Sequence, residues 1–128
     1  MSAEERDYSD YLRDIVDASR KAIRFCEGLE YDAFVEDEKT TFAVVRALEI
    51  VGEAAKNIPE SMRETCPGLP WREMAGMRDK LIHRYFGIDL EVVWVTVQER
   101  LPEIVERLKA VLDNEIGQSG LEAPAPEN

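Results

Sequence analysis

Nine consecutive residues, Met77-Arg78-Asp79-Lys80-Leu81-Ile82-His83-Arg84-Tyr85, hold the chain's single histidine together with two arginines, a lysine and a tyrosine. Cleaving a phosphodiester without a metal needs a group that takes or gives a proton near neutral pH. Histidine is the side chain with that intrinsic pKa. The same reaction needs a fixed cation to stabilise charge on the phosphoryl oxygens, and the arginine fork fits that geometry. Both types are present here. Each also has a plainer reading. His83 alone is an ordinary helix-end histidine, Arg78 a salt-bridge partner, and Tyr85 a core residue packing with Phe86 on the helix that carries Trp94.

The spacing sets a condition on the chemistry. Arg78 and His83 are five residues apart, which on a helix places them roughly 140° apart around the axis. They do not share one face squarely, and one chain makes a poor site from this pair alone. A two-fold dimer brings each segment against its own copy and doubles the available residues. Tyr85 lies about 200° from His83 if the helix continues. Gly87, a natural left-handed cap, places Tyr85 instead at a fraying helix end.

The elements that must position this segment read as helices. Tyr8, Leu12, Ile15, Ser19, Ala22, Cys26 and Leu29 recur at spacings of three and four, one face of a first helix that Gly28 ends. Tyr31 to Glu36 is long enough for one turn. Thr41, Val44, Leu48, Val51, Ala55 and Ile58 form the stripe of a second long helix, with Thr40 or Thr41 expected as its cap. Pro59 fits the first turn of a short helix to about Thr65. Cys66-Pro67-Gly68-Leu69-Pro70 breaks the chain, and Pro70 opens the helix carrying Trp71, Met74, Ile82 and the motif. Asp89 caps the last helix, whose stripe is Leu90, Val93, Val97, Leu101, Ile104, Leu108, Val111 and Ile116. Pro102 lies inside it and is expected to kink it near Gln98. No strand pattern competes. The expectation is all-α: an antiparallel up-down helical bundle of four main helices plus short ones, over residues 1–116, followed by a flexible tail over 117–128.

Composition agrees and excludes several classes. With 128 residues, 45% hydrophobic and 34% charged, the chain is one domain with enough apolar content for a core. Its net charge of −11 argues against broad binding to DNA or acidic membranes. The Arg78–Arg84 stretch is a local exception, with three basic residues and one acid. No apolar run approaches a membrane span, and the charged N-terminus is unlike a signal peptide, so a cytoplasmic protein is expected. Cys26 and Cys66 read as two reduced thiols. There is no glycine-rich phosphate loop, no HExxH pair and no nucleophile elbow, so no metal or cofactor is expected. The acidic run Glu36-Asp37-Glu38 reads as solvated linker. Glu49 and Glu53, with Arg46 and Lys56 on the same helix, read as a salt-bridged surface that could line a site. Trp71 and Trp94 read as core or dimer interface.

Arg78-x4-His83-x-Tyr85 resembles the Arg-x4–6-His-x-Tyr signature of HepT-like toxins in the HEPN superfamily. The flanks Pro70-Trp71-Arg72-Glu73, Met77-Arg78-Asp79-Lys80 and His83-Arg84-Tyr85-Phe86-Gly87 look like the core of that family. So does Ala47-Leu48-Glu49-Ile50-Val51-Gly52-Glu53-Ala54-Ala55-Lys56, and the resemblance spans about Asp7 to Glu115. It implies a helical bundle that forms a homodimer and a metal-independent endoribonuclease acting on RNA. It implies Arg78 and His83 as catalytic residues, with Asp79, Lys80 and Arg84 supporting. It also implies a minimal nucleotidyltransferase antitoxin as partner, which silences the toxin by AMPylation of Tyr85. Bulky anionic AMP beside Arg78, Lys80 and Arg84 would compete with RNA phosphates. Two other readings stand beside this one. The first is a non-catalytic helical dimer that binds, and is modified by, a nucleotidyltransferase. The second is a purely structural helical module.

Overall fold

The computed structural model describes residues 7–79 and 89–122, with side chains as far as residue 114. Among the described residues the α-helices are, in order, α1 (Tyr8–Phe25), α2 (Tyr31–Glu36), α3 (Glu38–Lys56), α4 (Glu60–Arg63), α5 (Trp71–Ala75) and α6 (Leu90–Val95). A π-helical turn, Thr96–Arg100, joins α6 to α7 (Leu101–Glu122). Among the described residues there is no strand, and no helix is long and apolar enough to cross a membrane.

The periodic stripes become the core. From α1, Leu12, Ile15, Ser19, Ala22 and Cys26 are buried, and from α3 Val44, Leu48, Val51 and Ala55. Val93, Val97, Leu101, Ile104 and Leu108 supply the third face. α1 lies between α3 and α7 and contacts both. Tyr8, at the start of the α1 stripe, is exposed. Side chains lean toward the helix N-terminus, so the first residue of a stripe projects past the end of its partner. Gly28 has φ +80°, the left-handed region where glycine carries no Cβ penalty, and it turns the chain out of α1.

Two expectations about caps and ends are corrected. The N-cap of α3 is Asp37, not Thr40 or Thr41. Its carboxylate accepts from the Thr40 backbone N–H at 3.1 Å and from the Thr40 hydroxyl at 2.8 Å. A carboxylate is a stronger acceptor than a hydroxyl and favours the positive end of the helix dipole, so Asp37 takes the cap. It is therefore part of the helix start and not solvated linker. Thr41 is buried one turn in, and its hydroxyl donates to the Glu38 carbonyl at 2.9 Å. At the other end, α7 runs to Glu122, so residues 117–122 of the expected tail are helical.

Where a kink is expected before Pro102, the structure has a π-helical turn, Thr96–Arg100. Pro102 has no N–H to offer the carbonyl four residues back, at Gln98. The chain answers with the π turn centred on Gln98. A π turn takes one more residue to close than an α turn, which keeps the successive i+4 positions Val93, Val97 and Leu101 on the core face. Asp89 caps α6 as expected, accepting from the N–H groups of Glu91 and Val92 at 3.1 and 3.3 Å.

Candidate functional site

The site is built where α5 and the residues that follow it meet α3. Trp71 opens α5 and is buried, with its indole N–H donating to the Cys66 carbonyl at 3.0 Å. That bond ties the breaker loop to the start of the helix. α5 ends at Gly76, and the chain is helical again over residues 77–79. The expected continuous helix from Trp71 into the motif is thus interrupted at Gly76, whose N–H still bonds the Arg72 carbonyl at 3.0 Å.

Gly52 of α3 is the contact point. A Cβ there would lie 2.9 Å from the Arg78 backbone nitrogen, 3.2 Å from Arg78 Cβ and 3.4 Å from the Met74 carbonyl oxygen. Glycine in a helix interior costs roughly 1 kcal/mol against alanine, so its presence needs a compensating contact. Here that contact is the backbone of Arg78 itself. The next residue on α3, Glu53, then reaches Arg78: its Oε2 lies 3.4 Å from Arg78 Nε. One turn on, Lys56 Nζ lies 3.5 Å from Asp79 Oδ2. Arg78 and Asp79 remain 41% and 52% exposed at their side chains, so both are open to solvent.

The last turn of α3, which carries Glu53 and Lys56, is held by side chains that satisfy its carbonyls. Asn57 Nδ2 donates to the Glu53 carbonyl at 2.9 Å. The Arg63 guanidinium donates to the carbonyls of Ala55 at 2.9 Å and Ile58 at 3.1 Å. It also sits 6.0 Å from the centre of the Trp71 ring. One arginine thereby joins the end of α3 to the start of α5, and the two elements that hold Arg78 are fixed to each other.

Of the residues singled out from sequence, the structure brings Arg78 and Asp79 to the α3 surface. Lys80, His83, Arg84, Tyr85 and the Gly87 cap lie outside the described residues. Glu49 and Glu53, with Arg46 and Lys56, read from the sequence as a salt-bridged surface that could line a site; Arg46 does pair with Glu49 at 3.3 Å. Glu53 and Lys56 instead reach across to the motif. The sequence signal for this was the glycine inside a helical stripe beside two opposite charges, facing an adjacent Arg-Asp pair. Neither cysteine is paired; Cys26 is buried and Cys66 partly so. Burial pushes both thiols above their usual range, with Arg107 partly offsetting this at Cys66. Among the described residues no cluster of histidine, cysteine or carboxylate side chains could hold a metal ion. Trp94 is part of the structural frame. Its ring meets Phe34 at 5.1 Å and Tyr31 at 6.0 Å, pinning α2 to α6.

Among the described residues the chain is helical, and an exposed arginine is paired with an acid on a neighbouring helix. The chain matches the family described as "Ribonuclease HepT-like" over residues 15–111. It is 51% identical over 100 residues to the probable ribonuclease HepT of Thermococcus cleftensis, covering 78% of this chain and 91% of that protein. A candidate RNase of Methanocaldococcus jannaschii is 43% identical over 108 residues, covering 84% of this chain and 89% of the relative. One from Caldanaerobacter subterraneus is 43% identical over 105 residues, covering 82% and 94%. No solved structure matches the chain. The chain belongs to the HepT-like ribonuclease family.

Proposed function

We propose that this chain is the toxin of a toxin–antitoxin pair, a cytoplasmic, metal-independent endoribonuclease. In this reading it acts as a homodimer of antiparallel four-helix bundles with a composite site formed by two Arg78-x4-His83 segments. The observation that carries this is Arg78: an exposed guanidinium seated by backbone contact on Gly52 and by charge on Glu53, in a chain of the HepT-like ribonuclease family. An arginine held in this way is suited to receive phosphoryl charge without reorganising.

The ribose 2′-hydroxyl attacks the phosphorus, and the bond from phosphorus to the 5′-oxygen breaks, leaving a 2′,3′-cyclic phosphate. His83 serves one of the two proton transfers, taking the 2′ proton or supplying the leaving oxygen, and water serves the other. Arg78 stabilises the charge gathered on the phosphoryl oxygens. Lys80 and Arg84 add positive charge along the strand, and Asp79 is held away on Lys56. Tyr85 is the site at which a minimal nucleotidyltransferase antitoxin places AMP, and the added anion occupies the cationic surface that RNA needs.

This reading predicts cleavage of a mixed-sequence oligoribonucleotide in excess EDTA, with 2′,3′-cyclic phosphate ends. The all-deoxy counterpart stays intact, because it lacks the nucleophile. Cleavage of the deoxy strand, or loss of activity in EDTA that added divalent metal restores, would overturn it. Co-incubation with the nucleotidyltransferase and ATP adds AMP mass to the wild type and none to Tyr85→Phe.

A further inference from the structure

The exposed cation of the motif is held by two crossed ion pairs. Arg78 Nε faces Glu53, and Asp79 faces Lys56, at 3.4 and 3.5 Å. Glu53 and Lys56 are three residues apart on α3, so they share a face. Arg78 and Asp79 are neighbours in sequence. The geometry draws the Asp79 carboxylate toward Lys56, and it brings Glu53 closest to the inner nitrogen of the guanidinium. Nearly half of the Glu53 side chain is exposed, as is that of Lys56. Pairs this exposed contribute little to folding. A cost-free surface pair would not need the glycine at position 52 that lets the two backbones meet.

We infer that Glu53, aided by Lys56, is a positioning residue for RNA cleavage. It anchors Arg78 at Nε so that the rest of the guanidinium is presented to the phosphodiester, and Lys56 keeps Asp79 from competing for that cation. The inference rests on the ribonuclease reading above. Its opposite is also definite: Glu53 could be a gate whose carboxylate competes with RNA phosphate for Arg78. A positioning role raises kcat, because it acts on the transition state. A competing role raises KM, because it acts on binding.

The test uses the full-length protein and a mixed-sequence oligoribonucleotide, comparing wild type, Glu53→Ala, Glu53→Gln and Arg78→Ala. Glu53→Ala should lower kcat by about 10- to 100-fold with KM within a few-fold of wild type, the scale on which misplaced groups act. Glu53→Gln, which keeps an oxygen acceptor, should recover part of the loss. In the Arg78→Ala background, Glu53→Ala should add little further. Thermal midpoints should stay close to wild type. A Glu53→Ala protein that binds RNA more tightly and cleaves it as fast or faster would overturn the inference, as would additive losses in the double variant. The Arg78 Nε–Hε resonance supplies a readout without substrate. Its chemical shift should move in Glu53→Ala relative to wild type, with Glu53→Gln between the two. If wild type cleaves no RNA, the ribonuclease reading falls, and this resonance then decides the clamp alone. An unchanged Nε–Hε shift in Glu53→Ala refutes it.

Discussion

At the scale of single residues, Gly52 decides how closely α3 and Arg78 approach. An exposed helical glycine replaced by alanine normally gains roughly 1 kcal/mol, because the unfolded chain loses freedom. Gly52 should behave in the opposite sense. The new Cβ would meet the backbone nitrogen of Arg78 at 2.9 Å, and backbone cannot swing aside as a side-chain end can. We expect Gly52→Ala to destabilise by about 1–2 kcal/mol in urea denaturation, the overpacking cost less the propensity gain. RNA cleavage should fall with it, because relief of the clash displaces Arg78 from Glu53. A stabilised and fully active Gly52→Ala protein would show that the close approach of α3 to Arg78 has no functional weight. The glycine was present in the sequence inside a clear helical stripe, but the direction from which another backbone reaches it is a tertiary fact. For the same reason the partners of Glu53 and Lys56 were not legible. On their own helix the two are three residues apart and could pair with each other, and only the fold shows that each reaches across to Arg78 and Asp79.

Elements are set by their ends as much as by their stripes. α3 carries half of the clamp, and its two ends are secured differently. At the start, the Asp37 carboxyl is held below the usual aspartate range, first by the Thr40 hydroxyl and then by the Thr40 backbone N–H. The folded state therefore binds a proton less readily than the unfolded chain. The stabilisation is complete above the unfolded pKa of about 4 and is lost as pH falls through the lower folded value. Asp37→Asn should thus lower the thermal midpoint relative to wild type at neutral pH, with the difference shrinking as the pH drops below about 4. A difference that grows on acidification would contradict the charged cap. At the far end, Arg63 donates to the Ala55 and Ile58 carbonyls. Arg63→Ala should cost about 1.5–3 kcal/mol, the scale of hydrogen bonds to a charged group, measured by chemical denaturation. A loss under about 0.5 kcal/mol would mean the last turn of α3 is held without it. The helical stripes, the Asp89 cap and the Gly28 exit were legible, because each rests on local backbone chemistry; at Pro102 the place of the irregularity was legible, but a π turn stands where a kink is expected. The Asp37 cap was missed because Thr40 and Thr41 fit the same preference, and the acidic run looked like solvent-facing linker. The break at Gly76 was hidden by apolar spacing that continues on both sides of it.

For the whole molecule, the central issue is how an acidic protein handles an acidic polymer. The net charge is −11, while the Arg78–Arg84 stretch carries three basic residues against one acid. One copy of that stretch is a modest attraction for RNA. In the proposed dimer, two copies across a two-fold axis would double it and would supply both the arginine and the histidine that a helical spacing would separate within one chain. Light scattering at micromolar concentration should give a mass of about 29 kDa, twice the 14.6 kDa of the chain. A monomer that retains full activity would remove the need for a composite site. Fold class was legible from periodicity and family from the motif with its flanks, which the match over residues 15–111 bears out. Pairing between copies leaves no periodic trace in one sequence, since an interface stripe and a core stripe use the same residue types.

The most direct test of the account is RNA cleavage in EDTA by the unmodified dimer, beside Arg78→Ala and His83→Ala prepared identically. The account predicts cleavage by wild type, with both variants folded, dimeric and reduced by at least about 100-fold, the scale of losing a general acid–base or a transition-state cation. Cleavage by His83→Ala or Arg78→Ala at the wild-type rate would contradict it. So would intact RNA in the presence of wild-type dimer whose mass shows no AMP on Tyr85.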